Sequence, residues 1–349
     1  MPEFGNLDQL MALKSDPPEI SHEDANRLAL QQYGLEGRFQ SLAGERDANF
    51  LFHVVDGRKL ILKFSHVAED PAVLDFQCQA LLHIEAQDPG LPVPRVYPTL
   101  NGNNFQTVEL EGGEQLILRA QTCIDGVPFS DGNMSLAKLQ QTGIVAARLD
   151  LALNGFSHPA ARQQLAWDLV NARQLLPCTP AIVDTGVRKL IEQVLQHFTT
   201  VVVPKLTRLR AQVIHADLHF GNMHTGADKD SPISGIVDFG DMLQAPLVVE
   251  VGTALAEVAT CYDEPMPAMA SLLAGYESIL PLQAGEYDVL QSCTMARLAI
   301  TYVIFSWRLA NQGSLSPIYD GFEETFAKAI RTLHLLSQEE FLSAIQTES

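Results

Sequence analysis

Basic residues are scarce in this chain: 23 lysines and arginines stand against 42 aspartates and glutamates, giving a formal net charge of -19 over 349 residues. A surface charged in this way repels a phosphate backbone or anionic lipid headgroups, which argues against nucleic acid or a membrane as partner and favours a small cationic or zwitterionic ligand. Cysteine is sparse too. Cys78, Cys123, Cys178, Cys261 and Cys293 are odd in number, scattered and never spaced as C-x-x-C, so neither a disulfide framework nor a structural zinc site is expected. Long apolar runs are missing as well: LAITYVIFSWRLA is too short to span a bilayer, is flanked by Arg297 and is broken by Arg308. Residues 1–30 carry neither a basic start followed by an apolar stretch nor an Arg-rich amphipathic pattern, and a soluble, cytoplasmic protein is the expectation.

What is present is ample core material. With 46% hydrophobic residues, the chain should form one large domain or two lobes. The N-terminal third is rich in strand signals and the rest is dominated by helical patterns. FLFHVV and LILKFS, separated by DGRK, read as a β-hairpin, because Asp56-Gly57 can adopt the positive φ angles of a tight turn; Lys63 then lies on its second strand. Asp70 can cap a following helix with Pro71 at its first position, and Leu74, Cys78, Leu81 and Ile84 form its apolar stripe. LPVPRVYP is an extended connector, LILRAQTCI a further strand, and DGVPFSDGN a Gly/Pro-punctuated stretch that places a lobe boundary near residue 126. Residues 135–200 read mostly as helices, SLAKLQQTGIVAARLDLAL and WDLVNARQLL among them. Two short strands, AQVIHA and ISGIVDF, follow before helices resume.

Those two strands frame VIHADLHFGNMHTG, residues 213–226. His215 and His219 are four apart, as two zinc ligands on one helical face would be, with Asp217 or His224 to complete a site. The hydrolase signature, however, wants Glu after the first His, where Ala216 stands, and the preceding Val-Ile favours a strand end. Phosphoryl transfer to an alcohol explains more of these residues. It needs a carboxylate to accept or orient the hydroxyl proton, oxygen ligands to hold magnesium against nucleotide phosphates, and a cation on those phosphates. Asp217 fits the first role, Asn222 and Asp238 the second, and Lys63 the third.

The pattern H-x-D-x-x-x-x-N at residues 215–222, followed by Asp238-Phe239-Gly240, resembles the aminoglycoside phosphotransferase and choline kinase superfamily. GERDANFLF, LPVPRV, GFSHPAARQQLAWDL and VDFGDMLQAPLVVEVGTALAEVA are similar to the subgroup that contains hydroxylysine kinase and the kinase-like domains fused to class III aminotransferases. The resemblance implies an α+β, two-lobed protein-kinase-like fold, with a small antiparallel-sheet N-terminal lobe (1–126) and a larger, mainly helical C-terminal lobe (127–349). It also implies a small-molecule kinase that uses Mg2+ and ATP or GTP, with Asp217 as catalytic aspartate, Asn222 and Asp238 as magnesium ligands, and His215 as a structural member of the loop. No G-x-G-x-x-G turn is present, so phosphate contacts fall to backbone and polar groups around Glu45, Arg46, Asp47 and Asn49. The base would meet the chain near Gln121 to Ile124, Cys123 included.

Further residues carry two readings each. The partner of Lys63 is open between Gln77, Asp75 and Glu85. Glu250 either supports the catalytic loop or is a surface carboxylate; Asp241 either binds a substrate ammonium or caps a helix. Trp167 reads as core, with Asp168 facing the substrate cleft. Arg297 needs a partner on its apolar helix, either a substrate carboxylate or an internal acid. Tyr302 and Trp307 either face a cationic substrate or belong to the core. The acceptor expected is a small hydroxylated amine or amino acid of hydroxylysine type. Homoserine, choline or an aminoglycoside is the alternative within the fold, and a non-catalytic nucleotide-binding module the alternative of another class.

Overall fold

In the computed structural model, which describes residues 17–44, 47–129, 134–226, 231–312, 315 and 320–346, the residues either side of Asp56-Gly57 pair as an antiparallel hairpin. Gly57 closes it with a φ of +94°, a conformation L side chains resist. The chain begins α1 (His22–Tyr33), β1 (Gly37–Leu42), β2 (Ala48–Val54), β3 (Lys59–His66), α2 (Pro71–Gln87), β4 (Val96–Tyr97), β5 (Phe105–Glu109) and β6 (Gln115–Thr122). These strands form one antiparallel sheet in the order β1-β2-β3-β6-β4, with β5 also paired to β6. As the sequence predicts, Asp70 caps α2 by accepting the Ala72 N–H, with Pro71 at its start. One sheet face buries Phe50, Phe52, Leu60, Leu62, Phe64 and Leu118 against Ala25, Leu28 and Ala29 of α1. Period-two alternation then turns Asn49, Lys63 and Arg119 to the opposite face, where register sets them side by side across β2, β3 and β6.

Past the sheet run β7 (Val127–Pro128), α3 (Leu136–Leu153), 3-10 segments at Pro159–Arg162 and Leu169–Ala181, α4 (Thr185–His197), a π turn at Phe198–Val202, and α5 (Val203–Leu206). The expected helix at WDLVNARQLL falls in the 3-10 segment Leu169–Ala181, whose Pro177 and Pro180 cannot supply the N–H groups an α-helix needs. Then come β8 (Ala211–Ile214), β9 (Met223–Thr225), β10 (Ile233–Ile236), β11 (Leu243–Pro246), α6 (Val248–Cys261), α7 (Pro265–Glu277), α8 (Ala284–Gln312), α9 (Phe322–His334) and α10 (Gln338–Ile345). β8 pairs with β11, and β9 lies between β7 and β10. The strand β11 ends at Pro246, and α6 begins two residues later.

Helices α3 and α7 approach so closely that a Cβ on Gly143 would lie 2.0 Å from the Leu272 carbonyl oxygen. The run LAITYVIFSWRLA is part of α8, which is long and apolar enough to cross a membrane by length and composition. Of its apolar window, however, 89% is buried inside the molecule, as befits a core helix. All five cysteines are free thiols.

Candidate active site

β8 delivers the chain to His215, which is fully buried and stacks edge-on against Phe239 at 4.8 Å. The Asp217 N–H donates to His215 Nδ1 (3.3 Å), so Nε2 carries the proton and donates to the Val237 carbonyl (3.1 Å). Burial holds this imidazole below its ordinary pKa and therefore neutral, and its role is to tie the loop to the strand that leads to Asp238. Ala216, with a φ of +65°, sits in the left-handed region. Its N–H donates to Glu250 Oε2 at 2.7 Å, from a carboxylate only 1% exposed near the start of α6. The surface reading of Glu250 is thereby corrected: this is a buried brace for a strained turn. Glu257, one helical stretch further on, accepts the Phe220 N–H (3.2 Å).

Both oxygens of Asp217 are engaged. Arg297 Nη2 lies 2.6 Å from Oδ1, while Asn222 Nδ2 donates to Oδ2 at 2.9 Å and His219 Nε2 stands 3.5 Å from the same atom. Burial opposes ionisation of Asp217, but His219, Arg297 and His215 together hold its carboxyl well below the usual carboxylate range. Burial likewise opposes the charge on His219, and Asp217 and Glu257 outweigh it, lifting the imidazole to about 9. A carboxylate in this setting is ionised throughout the neutral range and aimed by three donors. Arg297 thus has an internal acid as partner, the second of its two readings.

Because the Asn222 amide donates through Nδ2, its Oδ1 is left as an acceptor. Asp238, in the left-handed region with a φ of +62°, caps the turn Phe239–Asp241 through Oδ1 (Gly240 N–H, 3.2 Å) and is exposed. An amide oxygen and a carboxylate, on two backbone segments joined by the Val237 N–H bond to the Asn222 carbonyl (2.9 Å), are hard donors suited to magnesium. Asp241 ends that turn; the cap is Asp238, which corrects the capping reading of Asp241.

On the sheet, burial opposes the charge of Asp47, and Arg119 and then Lys63 outweigh it in favour of the ionised form. Asp47 accepts from Ser65 Oγ (2.6 Å) and Arg119 Nη2 (2.7 Å), and Arg119 Nη1 donates to Ser65 (2.9 Å). Among the described residues none of the three candidates on α2, Gln77, Asp75 and Glu85, hydrogen-bonds or ion-pairs with Lys63. On that helix Asp75 faces His158 at 3.2 Å and Glu85 is exposed. Asn49 Nδ2 reaches the Ala43 carbonyl (3.4 Å), bracing the same loop, whose Glu45 and Arg46 lie outside the described residues. Gln121 lies on β6 and Cys123 just beyond it, where the Cys123 N–H bonds the Lys59 carbonyl (3.2 Å). Gly126, at a φ of +113°, then passes so near the second sheet that a Cβ would come within 2.5 Å of the Thr225 carbonyl and Ser234 Oγ.

On the other side of Asp217, the aromatic beside Arg297 is Trp167, with the guanidinium carbon 5.2 Å from the ring centroid. Trp307 is half-buried against the helical core and Tyr302 packs on Phe322 at 5.4 Å, so core roles hold for both. Asp168 commits its oxygens to the Val170 N–H (3.0 Å) and Asn171 Nδ2 (2.9 Å), and burial pushes it up to about 6; it is a cap where a cleft-facing acid was expected. Glu257 and Arg119 carry no motif that marks them, and His219, which the sequence offers as a zinc ligand, stands instead against Asp217.

Comparison with known proteins extends the geometry. The model of the phosphotransferase enzyme family (APH) matches residues 38–291. Hydroxylysine kinase of Mus musculus is 27% identical over 316 residues, covering 84% of each chain. That of Danio rerio is 26% identical over 314 residues, covering 86% of this chain and 88% of the relative. Among solved structures, amicoumacin kinase in complex with AMP-PNP and Ca2+ superposes with a TM-score of 0.68 at 16% identity, covering 91% of this chain and 98% of its own, which shows a shared fold. A match that takes in the sheet, the connection at Gly126 and the loop around Asp217 together makes this chain a member of the phosphotransferase enzyme family, APH.

Proposed function

We propose that this small-molecule kinase transfers the terminal phosphoryl group of ATP or GTP to the hydroxyl of a small amine or amino acid, of hydroxylysine type. The observation that carries the reading is Asp217, held ionised and oriented by Arg297, Asn222 and His219 in a loop fixed from behind by Glu250. The curated relatives, all hydroxylysine kinases over most of their length, support the acceptor class.

In this scheme the acceptor oxygen attacks the γ-phosphorus, the new O–P bond forms as the bond to the β-phosphate oxygen breaks, and the hydroxyl proton passes to Asp217. A phosphorylated acceptor and a nucleoside diphosphate leave. Asn222 and Asp238 would hold magnesium, whose charge would offset that of the phosphates. Lys63 reaches the phosphates; the backbone at Gln121 to Ile124 meets the base; and the two lobes, 1–126 and 127–349, close on both substrates about Gly126. Catalysis is positioning and charge neutralisation, with no covalent enzyme intermediate.

The test is magnesium-dependent nucleoside diphosphate release with ATP and with GTP across 5-hydroxylysine, homoserine, choline, ethanolamine and kanamycin. Stimulation by hydroxylysine above the others supports the proposal. Stimulation by choline or kanamycin alone reassigns the acceptor, and nucleotide binding without turnover of any acceptor refutes it.

A further inference from the structure

Two arginines converge on Trp167, and their charges are met differently. Arg297 and Arg308 are eleven positions apart on α8, about 16 Å along the helix axis. Both guanidinium groups nevertheless lie over the same indole, at 5.2 and 5.7 Å from its centroid. Helical side chains lean toward the helix N-terminus, and this lean carries the Arg308 head back toward Asp217. Arg297 is matched there by Asp217 and also points Nη1 at the Ala216 carbonyl (3.4 Å). Among the described residues Arg308 forms no ion pair, and its Nε is buried without a hydrogen-bond partner. The nearest acid in sequence to the shared ring, Asp168, is already committed to Val170 and Asn171.

A buried N–H without an acceptor costs about 1–3 kcal/mol, and a guanidinium more. In a chain with 42 acidic residues, a cation left without one over the indole it shares with Arg297 is a place for an anion that arrives with a ligand. The direction identifies which ligand. Asn222, whose carbonyl accepts from the residue before Asp238, approaches Oδ2 of Asp217 with His219; Arg297 approaches Oδ1, and Trp167, shared with Arg308, lies beside Arg297. The indole face 5.7 Å from the guanidinium carbon attracts the cation, and a guanidinium fork can take a carboxylate through two parallel hydrogen bonds.

We propose that Arg308, laid over Trp167, is the subsite for the carboxylate of the acceptor, so that the enzyme phosphorylates α-amino acids bearing a hydroxyl in preference to the corresponding amino alcohols. The inference rests on the small-amine or amino-acid kinase reading above and narrows it.

The experiment compares acceptors that differ only by the carboxylate: 5-hydroxylysine with its decarboxylated analogue, and homoserine with 3-aminopropan-1-ol. Values of kcat/KM are measured for wild type, Arg308→Ala and Arg308→Lys. A charge-assisted pair predicts at least about a tenfold preference for the carboxylated member in wild type. In Arg308→Ala that preference should collapse toward unity through a rise in KM for the amino acid, and in Arg308→Lys it should be partly kept. A merely structural Arg308 would lower both members of a pair alike, and that result overturns the subsite, as does a wild-type preference for the amino alcohol; both leave the kinase reading standing. If no member of either pair is turned over, the acceptor class itself is wrong and the subsite falls with it. Nucleotide KM, followed in each variant, reports that the fold is intact.

Discussion

Replacing Glu250 separates two things that one carboxylate does. Its Oε2 accepts the Ala216 N–H, while its other oxygen is buried without a hydrogen-bond partner. Glu250→Ala leaves that N–H unsatisfied, at about 1–3 kcal/mol, and opens a cavity, for a total destabilisation of about 2–5 kcal/mol. It also frees Ala216, whose left-handed backbone costs roughly 1 kcal/mol, to relax and displace Asp217, and about a hundredfold loss of kcat is expected from the misplacement. Glu250→Gln keeps an acceptor oxygen and removes only the ionisable proton. Burial, then Asp150, itself pushed up to about 7, and Asp217 raise Glu250 well above its ordinary value. The folded-state pKa is therefore the higher one, so this group's contribution is full below its unfolded pKa, near 4.5, and is lost as pH rises through the folded value. The glutamine variant should match wild type in thermal midpoint at pH 5 and equal or exceed it at pH 8, while the alanine variant is lower at both. Circular dichroism melts and steady-state turnover read the outcome. If the glutamine variant is as unstable and as inactive as the alanine one at pH 8, the carboxylate charge itself is required and the bracing argument fails.

His219→Gln should flatten the alkaline part of the stability profile. A histidine raised to about 9 stabilises fully below its unfolded pKa, about 6.5, and loses that contribution as pH rises through about 9, so a variant retaining the wild-type slope over that window contradicts the pairing with Asp217. Arg297→Ala should cost about 3 kcal/mol in urea denaturation, because it strands a largely buried carboxylate, and lower kcat more than nucleotide KM; a neutral effect on both would remove Arg297 from the site. Gly143→Ala should destabilise by at least about 2 kcal/mol by forcing α3 away from α7, whereas Gly112→Ala, with open space around it, should change little.

What could be read along the chain was what local chemistry dictates. Asp56-Gly57 specified its hairpin and Asp70-Pro71 its helix start, because turn and cap preferences act over a few residues. The loop around Asp217 was legible because its acid, amide and second acid keep their order along the chain. The partners of Asp217 and Ala216 were not fully legible. Arg297 and Glu250 come from helices 80 and 34 positions away, and only packing decides that they meet the loop instead of solvent or substrate. Lys63 shows the same limit, since the carboxylate whose ionisation it favours, Asp47, lies in the loop before β2. Asp168 read as a cleft residue, but its carboxylate is drawn to the free N–H groups of its own turn. Winding at residues 169–181 was misread because helical periodicity alone does not distinguish 3-10 from α geometry.

In the proposed reaction, Asp217 is the proton acceptor on which transfer to an amino-acid hydroxyl depends. Wild type and Asp217→Asn, each with magnesium and ATP or GTP, are incubated with 5-hydroxylysine, and the acceptor is weighed by mass spectrometry while nucleotide affinity is measured in parallel. Wild type should yield phosphorylated hydroxylysine and nucleoside diphosphate in equal amounts, and Asp217→Asn should bind nucleotide but form product at least about a hundredfold more slowly. Product formation by Asp217→Asn at the wild-type rate would contradict the account at its centre.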